Sequence, residues 1–155
     1  MSAENTPAIS FGVVQVLPFP AARVWPVLGD FSRLPDWFPG IGDFSAQGVQ
    51  PGATRRIVIP PFPAVTHRLE RQDDAAMFTQ YRVVDGPGLS ETTGFVVTIR
   101  LHDDAAGCTV DWQARLAQRP ALVPAGGEAA FAARTEQSYR RALDRLVARL
   151  TAGEV

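Results

Sequence analysis

From residue 41 to residue 118 apolar and polar side chains alternate with a period of two, and turn-forming residues interrupt the pattern at short intervals. From about Gly127 to Ala152 the pattern changes to an Ala-, Arg- and Leu-rich stretch with a helical apolar stripe. That contrast limits the fold more than any other feature. A period of two puts alternate side chains on opposite faces of a half-buried strand. The predicted strands fall at about 41–48, 53–60, 64–73, 77–85, 91–102 and 108–118. Between them lie Gln50-Pro51-Gly52, Pro60-Pro61-Phe62-Pro63, Asp73-Asp74, Asp85-Gly86-Pro87-Gly88 and Asp103 to Gly107. Connections this short join neighbouring strands running in opposite directions, which is an antiparallel meander.

Upstream, residues 9–17 read as a further strand bounded by Pro18 and Pro20. Residues 20–30 read as a helix with Pro20 in its first turn and Val24, Trp25, Val27, Leu28 and Phe31 on one side. Pro26 lies about one turn further in, so this helix is expected to be kinked or very short. Ser32 is placed to cap a second short helix that runs through Leu34 and Trp37 and stops before Pro39-Gly40. The expectation is one α+β domain over residues 1–155: a seven-stranded curved antiparallel sheet around a long C-terminal helix, with two short helices after the first strand.

The last helix suggests where the domain is hollow. Its C-terminal half carries Tyr139, Ala142, Leu143, Leu146, Val147 and Leu150, a normal core stripe. The same stripe continued backwards meets Ser138, Thr135, Arg134 and Phe131, which are mostly smaller or polar. An under-filled end of this kind predicts a pocket beside the N-terminal half of the helix; greater exposure of that half is the alternative.

Composition narrows the function. With 46% hydrophobic and 20% charged residues in 155, the chain has the profile of a folded domain. No apolar run approaches the roughly 20 residues of a membrane span. Residues 1–7 lack the basic and apolar regions of a signal peptide, and Cys108 is the single cysteine, so a reducing, cytoplasmic setting is expected. The net charge of −1, with both signs mixed along the chain, gives no footprint for nucleic acid or anionic lipid. All 15 basic residues are arginine, which excludes Schiff-base chemistry on a lysine. His67 and His102 lack metal-ligand spacing and Cys108 has no partner near it in sequence, so no metal site is expected.

Strand alternation sets Val65, His67 and Leu69 on one face and Thr66, Arg68 and Glu70 on the other, and the Val/Leu face is expected to be the buried one. A histidine there is suited to acid–base work near neutrality; a buried histidine satisfied by a neighbour is the alternative. Arg55, Ile57 and Ile59 share a face of the preceding strand. Arg55 is able to orient an anionic or enolate oxygen, or to form a structural ion pair with Asp43 or Glu91. Tyr81 shares a face with Val83 and offers a phenol.

Taken in order, Val24-Trp25, Asp30-Phe31, Trp37-Phe38-Pro39-Gly40-Ile41, Pro51-Gly52-Ala53-Thr54-Arg55, Thr66-His67-Arg68-Leu69-Glu70, Tyr81-Arg82-Val83-Val84, Thr109-Val110-Asp111-Trp112 and Tyr139 to Leu146 resemble the helix-grip superfamily over residues 9–150. That group includes START-like lipid carriers, birch-pollen-allergen-like proteins, polyketide cyclases/dehydratases and the plant abscisic-acid receptors. The resemblance implies a pocket for a small hydrophobic molecule, reached past a gate at Pro60-Pro61-Phe62-Pro63-Ala64 and a latch at Asp85 to Ser90. It also implies that His67 occupies a position often held by a pocket glutamate, and that Arg55 faces inward. By type, Arg55 and Tyr81 fit the pocket arginines and tyrosines of the cyclase-like members. The receptors' pocket lysine falls at Pro39 here, so abscisic acid is not the expected ligand, and an acidic ligand would need Arg55 or protonated His67.

The expected catalytic group is therefore His67, Arg55 and Tyr81. The expected ligand contacts are Trp37, Ile57, Ile59, Phe62, Val65, Val83, Leu89, Glu91, Thr93, Phe95, Trp112, Phe131, Thr135 and Ser138. Two functions fit: a cofactor-independent cyclase/dehydratase acting on a polyketide-like molecule, or a carrier or sensor that leaves its ligand unchanged. A partner-binding module that uses Phe62 is a third. The expected partner is a small hydrophobic molecule, with no nucleic acid and no membrane insertion, in a monomer or homodimer.

Overall fold

The structure, a computed structural model, describes residues 9–155. The N-terminal residues 1–8, on which the signal-peptide reading rests, lie outside the described residues. Strand β1 (Ile9–Leu17) is followed by helix α1 (Ala21–Leu28) and a 3-10 turn (Leu34–Asp36). Six strands come next: β2 (Asp43–Ala46), β3 (Thr54–Val58), β4 (Val65–Asp73), β5 (Phe78–Gly86), β6 (Leu89–Asp104) and β7 (Gly107–Leu116). Helix α2 (Glu128–Ala152) completes the chain. The sheet has seven strands in the order β1-β7-β6-β5-β4-β3-β2, every neighbouring pair antiparallel. The meander is thus continuous from β2 to β7, and β1 closes it by pairing with β7. This is the helix-grip architecture.

Local chemistry explains the departures from the sequence reading. Helix α1 is only eight residues long, with Pro26 inside it. Its Pro20 cap position has no side chain to offer, and the Asp103 carboxylate accepts from Ala21 N–H at 2.8 Å instead. The second helix is a single 3-10 turn that Ser32 does not cap. Both the N–H and the hydroxyl of Ser32 donate to the Asp30 carboxylate, at 2.9 and 2.6 Å, which holds Ser32 back in the preceding turn. The latch is a tight two-residue hairpin: Gly86 pairs with Leu89 and leaves only Pro87-Gly88 unpaired. Helix α2 ends where Gly153 takes a left-handed φ of +70° and its N–H returns to the carbonyls of Arg149 and Leu150.

The core is packed between the sheet and the C-terminal half of α2, where Ala142, Leu143, Leu146 and Leu150 are fully buried. Val13, Leu17, Val110, Trp112 and Leu116 meet them from β1 and β7. Towards the N-terminal half of α2 the buried stripe stops at Tyr139, and Phe131, Ala132 and Thr135 are only half-buried. No helix among the described residues is long and apolar enough to cross a membrane.

Candidate ligand-binding site

A cavity of about 670 Å³ lies between the sheet and the N-terminal half of α2. Strands β3 to β7 supply Ile57, Val65, His67, Tyr81, Val83, Leu89, Phe95, Val97 and Trp112, with Ile59 just past the end of β3. Helix α2 supplies Thr135, Ser138, Tyr139 and Arg141. The segment after α1 adds Leu34, Phe38, Pro39 and Gly40, and the two loops add Phe62, Pro63 and Pro87. Gly40, Phe62, Pro63 and Arg141 are exposed, and they mark where the cavity opens. Phe62 is 66% exposed at the tip of its loop.

Strand register builds the polar part of this wall. Arg55 on β3 lies directly across from His67 on β4, and Tyr81 on β5 pairs with Leu69, which makes it a diagonal neighbour of His67. The His67 and Tyr81 rings stack with centroids 4.5 Å apart and planes 16° from parallel. Arg55 Nε donates to His67 Nδ1 at 3.1 Å, and its Nη1 donates to the Phe31 carbonyl at 3.0 Å. The guanidinium also sits over the rings of Phe31 and Tyr81, at 4.3 and 4.7 Å.

Arg55 is 5% exposed, and no carboxylate pairs with it among the described residues. The ion pairs considered for it go elsewhere: Asp43 binds Arg56 and Glu91 binds Arg68. Burial lowers the Arg55 pKa to about 10, with Tyr81 pulling the other way, so it remains a cation at neutral pH. Burial, and then the adjacent Arg55 charge, hold His67 well below the ordinary imidazole value. A neutral imidazole that accepts at Nδ1 carries its proton on Nε2. His67, a lining residue, therefore keeps an Nε2–H donor that has no hydrogen-bond partner among the described residues. Burial raises Tyr81, partly offset by Arg55, and raises Tyr139 well above the phenol range, so both phenols keep their protons.

Arg55 itself does not line the cavity. It lies behind His67 and Tyr81 beside a small secondary space shared with Phe31, Trp37 and Trp112. Trp37 is there too, buried edge-on against Trp112 at 5.6 Å, and, against expectation, does not line the cavity. Glu91 points away: it is exposed and binds Arg68, on the opposite face of β4 from His67, at 2.6 Å. Thr93 is buried outside the lining, with its Oγ1 accepting from Ser90 N–H at 3.0 Å. Phe131 packs edge-on against Phe11 and Phe95 at 5.8 and 6.4 Å, behind the lining. The remaining expected contacts, Ile57, Ile59, Phe62, Val65, Val83, Leu89, Phe95, Trp112, Thr135 and Ser138, all line the cavity, as do His67 and Tyr81.

The sequence reading placed Pro63 and Pro87 only in the gate and the latch, and did not count Leu34, Phe38, Pro39, Gly40, Val97, Tyr139 and Arg141 among the contacts. Two of them carried a legible signal. Tyr139 follows Thr135 by four positions and so shares its helix face, and Val97 shares the face of Phe95. Tyr139 spans core and cavity, stacked on Trp112 with centroids 3.9 Å apart.

Comparison with known proteins agrees with this fold. The model of the family described as polyketide cyclase / dehydrase and lipid transport matches residues 8–151, and the chain belongs to that family. Among solved structures it is similar to the protein XoxI from Bacillus cereus, at 21% identity over 95% of this chain and 99% of that one, with a TM-score of 0.73. A Thermobifida fusca protein aligns at 24% identity over 90% and 91% of the two chains, with a TM-score of 0.74. A Bacillus thuringiensis protein aligns at 22% identity over 88% and 95%, with a TM-score of 0.70. At these identities the likeness establishes the fold. No curated protein matches the sequence.

Proposed function

We propose that this chain binds a small, largely apolar molecule, polyketide-like in its size and oxygen content, and polarises one oxygen atom of it. The observation that carries the reading is the 670 Å³ cavity with His67 in its wall and Arg55 bonded to it from behind. An apolar pocket with a few placed polar groups is the usual form of a small-molecule site. Arg55 fixes the His67 tautomer and draws electron density from its ring, which strengthens the Nε2–H as a donor to a carbonyl or enolate oxygen. The Tyr81 phenol stands beside it as a second neutral donor.

The catalytic form of the reading is cofactor-independent enolisation followed by cyclisation or loss of water, and the family supports it. In that form His67 and Tyr81 hold the developing oxyanion and the apolar walls impose substrate shape. With Nδ1 occupied by Arg55 and no carboxylate in the lining among the described residues, the carbon-bound proton lost on enolisation passes to water entering at the open mouth, while His67 and Tyr81 only hydrogen-bond the oxygen. A carrier or sensor needs the same polar anchor without the chemistry. The buried Cys108 thiol, pushed up to about 11 chiefly by burial, acts as a packing group, and its being the single cysteine supports a reducing, cytoplasmic setting.

The test is to incubate the protein with a mixed panel of aromatic hydrocarbons, ketones and polyketide-like phenols, remove the excess, and analyse retained and released species by mass spectrometry. Retention of oxygenated members over the hydrocarbons, lost in His67→Phe, is the expected result. Products altered in mass or retention time relative to a protein-free control point to the enzyme; unaltered retained compounds point to the carrier. A panel that leaves nothing bound overturns the proposal.

A further inference from the structure

The cavity has a second polar feature, at its open end. Arg141 on α2 lines the cavity and is exposed, and no carboxylate pairs with it among the described residues. Its hydrogen-bond partner is the Ser138 hydroxyl at 3.1 Å, itself a lining group. The Ser138 and Thr135 hydroxyls in turn donate to the carbonyls one turn back, Arg134 and Phe131, at 3.2 and 2.9 Å. Thr135, Ser138 and Arg141 thus form a polar strip on one helix face, opposite the apolar Phe62, Pro63, Pro87 and Leu89 on the sheet side.

The other cation near the site is not placed to meet a ligand directly. Arg55 is walled off behind His67 and Tyr81, and burying a ligand's full negative charge among apolar side chains would be costly. At the mouth, an anion stays partly hydrated while a planar guanidinium binds two of its oxygens.

We infer that the bound molecule is an amphiphilic acid: its apolar body fills the cavity, an uncharged oxygen faces His67, and a carboxylate or comparable anion sits at the mouth on Arg141. This rests on the cavity-binding reading above. It places the acid-recognising charge on a residue that neither Arg55 nor a protonated His67 replaces, and it orients the ligand with its charged end outward.

A matched pair of fluorescent probes tests it: 8-anilinonaphthalene-1-sulfonate and N-phenyl-1-naphthylamine share a ring skeleton and differ by the sulfonate. The native protein is expected to bind the sulfonate about three- to fivefold more tightly at low salt, the size of effect a partly exposed ion pair gives. That preference should disappear in Arg141→Gln and shrink as salt is raised, whereas the native protein's affinity for the neutral probe should not depend on salt. Equal binding of both probes by the native protein, or a sulfonate preference that survives Arg141→Gln, overturns the inference alone. Failure of both probes to bind, with the protein folded by circular dichroism, overturns the cavity-binding reading and the inference with it.

Discussion

A single inter-strand pair, Arg55 opposite His67, sets the chemistry of the cavity wall, because the register leaves a cation beside an imidazole with no acid among the described residues to balance it. This has a measurable consequence for stability. Burial and the Arg55 charge both depress the His67 pKa in the folded state. The unfolded chain, with an ordinary imidazole, therefore binds more protons between the folded value and about 6.5. Stability contributed in this way is complete above about pH 6.5 and is lost as the pH falls towards the folded value. Denaturant titrations between pH 7 and pH 5, above the range where carboxylates titrate, should show the unfolding free energy falling by up to about 1.4 kcal/mol per pH unit. His67→Gln should flatten that slope, and a variant that kept the full slope would show that another group is responsible. The residue scale is also where sequence reading reached its limit. Alternation was enough to aim His67, Tyr81 and Arg55 inward. It could not tell that Arg55 stops short of the cavity, because that depends on the Phe31 carbonyl capturing its guanidinium from a distant segment.

Among the elements, the two hairpin connections near the mouth differ in kind. The β5–β6 connection is a two-residue turn whose strands pair up to Gly86 and Leu89. The β3–β4 connection runs from Ile59 to Ala64, with Phe62 held out at its tip. An aromatic ring that packs on little in the folded protein contributes little to its stability. Phe62→Ala should therefore change the unfolding free energy by no more than about 0.5 kcal/mol. If the loop closes over a bound molecule, the same substitution should speed ligand release severalfold in a stopped-flow displacement assay; unchanged release would confine Phe62 to the open surface. The β6–β7 hairpin shows the opposite dependence. Gly107 has a φ of +143°, and a Cβ there would lie 2.2 Å from the Leu17 carbonyl oxygen, which is backbone and cannot turn aside. Gly107→Ala should cost about 2–3 kcal/mol in chemical denaturation, from strain and overpacking together. The sequence displayed these hairpins through their Pro, Gly and Asp residues. It overstated the second short helix, because the two bonds to Asp30 hold Ser32 in the preceding turn and Arg33 takes the cap position instead.

Across the whole molecule, α2 divides the space it shares with the sheet into a packed end and a hollow end, and this division was legible in the sequence as a stripe running from leucines into Ser138 and Thr135. What the sequence could not supply was the rim. Phe38, Pro39 and Gly40 reach the cavity only because α1 and the 3-10 turn fold back over the sheet, and no local period encodes that return. The division predicts that substitutions of opposite size have opposite consequences at the two ends. Leu146 is fully buried at the packed end, so Leu146→Ala removes apolar contacts and leaves a void, at a cost of about 2–5 kcal/mol. Val83 is also buried within the protein, but its side chain borders the cavity and has room to grow. Val83→Phe should therefore fold with a loss under about 1 kcal/mol, where the same enlargement in a filled core costs about 1–3 kcal/mol. It should also reduce the affinity for both naphthyl probes by occupying their space. If Val83→Phe destabilised the protein as much as Leu146→Ala, the hollow end would be packed in solution, and the cavity would not be the feature that distinguishes this end of the fold.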